Sequence, residues 1–201
     1  MRTMLACMIG GIVLGVVSLL LGGVLSGDSG RLVNSGAVWA VGAFAAGAVV
    51  RRGPGRVALA GVVVLVGAVA GYYGGLVVFE HRHVGADVLA GPVGWSVVGL
   101  AAGPVFATAG AWWRDERRGH RVVGVCTLGA VFLAEAAYLA VKGRPAGEAW
   151  IVAAIGLAVP LVLSRGGRER LMAMVALVPA TALGVVGYLT LASVLDVAFT
   201  R

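Results

Sequence analysis

Long runs of Val, Ala, Leu and Gly, broken by short clusters of Arg, Gly and Pro, set the pattern of this chain. The apolar runs cover about residues 4–26, 35–50, 57–79, 88–113, 122–141, 149–164 and 171–195. Most approach the length of roughly 20 residues that carries a helix across a bilayer. The pattern predicts an all-α fold, a polytopic transmembrane helical bundle of about seven spans over one domain, residues 1–201. The second and sixth runs are short. Six spans with one re-entrant segment is therefore the alternative. The first run is too long for a signal peptide and lacks an A-x-A-like site, so it reads as a retained helix. Met4-Leu5-Ala6-Cys7 does not read as a lipoprotein signal, because no apolar region precedes it.

Composition supports this class. The residues are 60% hydrophobic and only 12% charged, against about 25% charged in soluble domains. The 33 glycines lie within the apolar runs, where small residues let helix backbones approach closely. Gly11 with Gly15, and Gly99 with Gly103, have the small-xxx-small spacing, which also arises by chance in so glycine-rich a chain. Cys7 and Cys126 lack metal-site spacing and read as small buried residues. Pro92, Pro104, Pro160 and Pro179 fall in or near the spans. Each either kinks its helix or is the ordinary proline that membrane helices tolerate.

The charges give an orientation. Arg2 and the loops carrying Arg51/Arg52/Arg56, Arg114/Arg117/Arg118/Arg121 and Arg165/Arg168/Arg170 fall on one side, with eleven basic residues against five on the other. The positive-inside rule then puts the N-terminus inside, in a multi-pass protein of the cell membrane. The net charge of +7 is thereby a topology signal. Nucleic acid is not an expected partner, since no basic patch is interleaved with stacking aromatics.

On this topology Asp28, Glu80, Asp87, Glu148 and Asp196 belong to the outer side, and Asp115, Glu116 and Glu169 to the Arg-rich inner loops, as solvated partners of arginines. Glu135 stands apart, in the otherwise uncharged run Val122 to Val141. A carboxyl inside a membrane helix is expensive enough to read as functional. Trp39, Tyr72, Tyr73, Trp95, Tyr138, Trp150 and Tyr188 fall in the outer halves, whereas Trp112 and Trp113 mark the inner boundary. An interfacial belt explains Trp150, Trp112 and Trp113. Tyr72, Tyr73 and Trp95 lie about two turns inside their spans, on the order of 10 Å deep, and fit the lining of a cavity or helix packing.

The expected site is an apolar, aromatic pocket that takes an apolar small molecule. Asn34, Trp39, Tyr72, Tyr73, Trp95 and Tyr138 would bind substrate, with Glu135 at the floor and Glu80, His83 and Asp87 at the mouth. Glu135 and Tyr138 share a helix face, as do Glu80, His83 and Asp87 if the third span extends a turn or two. His81 and His83 have no third ligand at metal-site spacing, so neither a metal nor another cofactor is expected. No catalytic triad, P-loop, dinucleotide fingerprint or Asp-rich diphosphate motif is present in the sequence.

The motifs Asn34-x-x-x-x-Trp39, Gly71-Tyr72-Tyr73, Gly103-Pro104-x-Phe106-x-x-x-Gly110-x-Trp112 and Glu135-Ala136-x-Tyr138 resemble a family of small actinobacterial membrane proteins over nearly the whole chain. The Arg-over-Lys and Gly/Ala/Val bias fits a high-GC genome. In size and character the chain is similar to the small membrane terpene cyclases of bacterial indole-terpenoid pathways. That resemblance implies an isomerase-like enzyme that protonates an alkene or epoxide, with Glu135 or Glu80 as the acid and Asp87 as a helper. A buried carboxyl suits this as a proton donor, and aromatic faces stabilise a cation. The same residues fit a small transporter or substrate-binding subunit. A third reading is an accessory membrane protein, in which a helix–helix hydrogen bond satisfies Glu135.

Overall fold

The computed structural model describes residues 2–25, 28–51, 53–80, 86–144 and 146–199. Those residues form eight helices and no strand. They are α1 (Arg2–Val24), α2 (Asp28–Val33), α3 (Gly36–Val50), α4 (Pro54–Phe79), α5 (Ala86–Trp113), α6 (Arg118–Val141), α7 (Ala146–Leu163) and α8 (Gly167–Phe199).

Local chemistry sets several boundaries. Ser35 caps α3 by accepting the Val38 N–H at 3.1 Å. Arg51 ends that helix with φ 54°. Gly53 precedes α4 with φ 79°, and Pro54 opens it with no amide proton to satisfy. Pro92, Pro104, Pro160 and Pro179 all lie within continuous helices. The six-residue α2 is an element that the hydrophobic pattern does not signal. α7 starts at Ala146, earlier than the apolar run, because Glu148 is accommodated in its first turn.

Six helices, all but α2 and α3, are long and apolar enough to cross a membrane. The α3 helix has 15 residues. At 1.5 Å per residue it spans about 22 Å, short of a hydrocarbon core of about 30 Å. This is the segment on which the seven-span and six-span readings differ. Val162, Val178 and Leu183 are each about three-quarters exposed, which water disfavours and hydrocarbon does not. The chain is a multi-pass helical membrane protein.

The helices group into two compact units, Met1–Thr108 and Ala109–Arg201, with the division inside α5. In the first unit α4 packs against α1 and α3. It does so with almost no side chain between backbones. A methyl group at Gly15 would overlap the Ala68 carbonyl, and one at Gly103 would overlap the Gly61 backbone. Both small-xxx-small pairs thus face α4, Gly11 and Gly15 from α1, and Gly99 and Gly103 from α5. Cys7, Ala46, Ala60 and Val64 form a buried cluster of α1, α3 and α4.

In the second unit α6 packs against α7 and α8, with Val122, Cys126 and Ala173 buried together. Three polar ties join α6 to α8. Arg121 pairs with Glu169 at 2.9 Å, the Cys126 thiol donates to the Ala173 carbonyl at 3.2 Å, and the Tyr188 hydroxyl donates to Glu135 at 2.9 Å. Residue numbers rise together along both helices, so α6 and α8 run parallel.

Candidate functional site

One end of the first unit gathers the N-terminus of α3, the C-terminal third of α4 and the first half of α5. A cavity of about 120 Å³ lies there, lined by Asn34, Gly36, Trp39, Tyr72, Tyr73 and Trp95. A second, apolar cavity of about 50 Å³ adjoins it and shares Gly36, Trp39 and Trp95. Leu65, Val69, Val98 and Phe106 also line this second cavity.

The rings form an arc. Trp39 meets Trp95 at 6.4 Å between centroids and Tyr72 at 5.9 Å, and Tyr72 meets Tyr73 edge-on at 5.4 Å. Two hydrogen bonds fix it. The Trp39 indole N–H donates to the buried Ser18 hydroxyl of α1 at 3.2 Å. The Asn34 amide donates to the Tyr72 hydroxyl at 3.1 Å. Ser35 sets where α3 begins, and so places Asn34 at the rim and Trp39 one turn inside. Besides lining residues such as Gly36, the sequence reading missed Ser18. The available signal was a hydroxyl in an otherwise apolar stretch, since such groups hydrogen-bond across membrane helices.

The other sequence candidates are not among the described lining residues. Glu135, expected at the floor of this pocket, lies in the second unit, 7% exposed, and accepts the Tyr188 hydroxyl. Tyr138 stands with it, its ring 5.6 Å from that of Tyr188 and the Lys142 ammonium 5.7 Å from its own centroid. Glu135 and Tyr138 thus share a helix face, and both contact Tyr188. The α4 helix stops at Phe79 with exposed Glu80 as its cap, and α5 starts at Ala86. His81 and His83 lie outside the described residues, as does the side chain of Asp87. Among the described residues no group of three or more His, Cys, Asp or Glu is placed to hold a metal ion.

The Arg-rich end of the second unit is more ordered than solvated charges would be. Glu169 is only 4% exposed, which corrects the expectation of a solvated partner. Arg121 grips it through Nε and Nη2, and its Nη1 donates to the carbonyls of Asp115 and Glu116 at 3.2 and 2.7 Å. This uses the fork geometry that distinguishes arginine from lysine. Asp115 accepts the Arg117 backbone N–H at 2.8 Å and pairs with the His120 ring at 2.8 Å. Those two hydrogen bonds, the backbone one first, hold its carboxyl below the usual aspartate value. His120 in turn stacks on Trp112. Trp113, expected only as a belt residue, donates its indole N–H to the Leu163 carbonyl at 3.0 Å and ties down the end of α7.

No curated protein and no solved structure matches this chain. The likeness to the membrane terpene cyclases rests on size and character alone, and the comparisons lend it no support. Residues 1–194 match the DUF6518 family, so the chain belongs to a family whose description is "family of unknown function".

Proposed function

We propose that this chain is a membrane-embedded binding protein, a substrate-binding subunit or small transporter, with its ligand site in the aromatic cavity of the first unit. The supporting observation is a set of four aromatic rings from α3, α4 and α5 around one cavity, held by the Trp39–Ser18 and Asn34–Tyr72 hydrogen bonds. Pre-set rings lower the ordering cost of binding. The size, about 120 Å³, suits a small group, since an apolar cavity of roughly 150 Å³ accepts benzene. A whole prenyl chain is too large for it. With the positive-inside orientation, the cavity belongs to the outer half of a cell-membrane protein.

Cyclisation started by protonation needs an acid beside the substrate. The described lining of the cavity has no Asp or Glu. Glu135 acts in this reading as a tie between α6 and α8. The test is calorimetric titration of the purified protein in nanodiscs with benzene and with hexanol. Saturable binding that weakens at least tenfold in Trp95→Leu is expected. The opposing arm feeds membranes prenylated aromatic substrates. A cyclised product that disappears in Glu135→Gln would replace this reading with the cyclase.

A further inference from the structure

We infer that the aromatic cavity recognises a quaternary ammonium group, with a short alkyl arm directed into the adjoining apolar cavity. The inference rests on the binding reading above and names the ligand class for that site.

Ring planes turned by 50–72° between neighbours carry the π faces of Trp39, Trp95, Tyr72 and Tyr73 round the space in different directions. Aromatic faces are electronegative at their centres and attract organic cations, most strongly where water is excluded. The described lining has no Asp, Glu, Lys or Arg. An anion there would find no cationic side chain to pair with. A small metal cation would find too few oxygens to replace its hydration shell. A primary ammonium needs three convergent acceptors, and it would have to engage both phenols and the amide at once, with Tyr72 already accepting from Asn34. A quaternary ammonium makes no such demand. Its charge is spread over methyl groups that pack on rings, and its size is close to that of benzene.

The second cavity supplies the other half. It shares Gly36, Trp39 and Trp95 with the first and continues along Leu65, Val69, Val98 and Phe106. Its apolar walls suit a few methylenes. The head group could belong to a free quaternary amine or to a choline lipid. The chemistry recognised is the same.

The test uses the full chain in phosphatidylglycerol nanodiscs, titrated by calorimetry with choline, with its uncharged carbon isostere 3,3-dimethylbutanol, and with hexyltrimethylammonium. Choline is expected to bind at least tenfold more tightly than the isostere, and hexyltrimethylammonium more tightly than choline. Trp95→Leu should weaken choline binding at least tenfold. Trp95 is 41% exposed, so this variant folds even if Trp39→Leu, which loses the bond to Ser18, does not. Trp150→Leu, on α7, should bind as wild type. Phosphatidylcholine discs separate the sources. Competition there identifies a lipid head group, and unchanged binding identifies a free amine. Equal affinity for choline and the isostere, lost in Trp95→Leu, overturns the cation while the binding reading stands. No saturable binding of either overturns both.

Discussion

Replacing Glu135 and Tyr188 singly and together measures a side-chain hydrogen bond that joins α6 to α8 inside the apolar zone. The bond is 2.9 Å long and Glu135 is 7% exposed. Tyr188→Phe removes only the hydroxyl, leaving the ring that packs on Tyr138 at 5.6 Å. Hydrogen bonds between membrane helices average about 0.6 kcal/mol and reach about 1.7 kcal/mol. A bond to a carboxyl buried this deeply belongs near the upper end, so the expected coupling is about 1–1.5 kcal/mol. Glu135 has a further interaction besides Tyr188. Glu135→Ala alone therefore exceeds the value of the bond, and only the four-member cycle isolates it. Glu135→Gln keeps an acceptor and should lose less than Glu135→Ala. Unfolding by titrated SDS, followed by circular dichroism, gives the four free energies. A coupling below about 0.3 kcal/mol, at the level of ordinary non-additivity, would refute the tie.

Three further outcomes are expected. Arg121→Lys, which cannot span Glu169 and the Asp115 and Glu116 carbonyls together, should lower the unfolding midpoint clearly more than Arg118→Lys does in the same SDS titration. Gly15→Ala forces a methyl into the Ala68 carbonyl and should destabilise the first unit by about 1–3 kcal/mol, whereas Gly10→Ala, with nothing within 4 Å of the added carbon, should not; resistance of each variant to thermolysin reads the difference. The Asp115 carboxyl is held below its usual 3.8, so it binds protons less readily folded than unfolded. Its contribution is present above that pH and fades as pH falls through the lower folded value. Asp115→Asn should flatten the acid limb of thermal stability measured between pH 2 and 5.

The helices were legible because apolar runs and Arg-rich breaks report directly on where a chain crosses a membrane. Asn34, Trp39, Tyr72, Tyr73 and Trp95 were legible as a group because each sits at a comparable depth in its run, and depth is a one-dimensional property. Partner choice is not. Nothing local to Glu135 indicates Tyr188, 53 positions later, since lateral packing in a bundle depends on which helix faces are small. Glu169 looked solvated because its neighbours are arginines, yet burial followed from Arg121 folding back over the chain. The end of the third span was legible only loosely, for a local reason. The α4 helix ends at Phe79 with Glu80 as its cap, a boundary that the apolar pattern blurs.

The parallel run of α6 and α8 has a consequence for assembly. Two parallel neighbours require a complete return through α7 before they can meet. During synthesis Arg121, Cys126 and Glu135 are therefore made well before Glu169, Ala173 and Tyr188 exist. Glu135 enters the membrane without the Tyr188 hydroxyl and waits for the last helix to deliver it. The second unit is closed from its C-terminal side, and a ribosome stalled short of Tyr188 leaves this tie unmade.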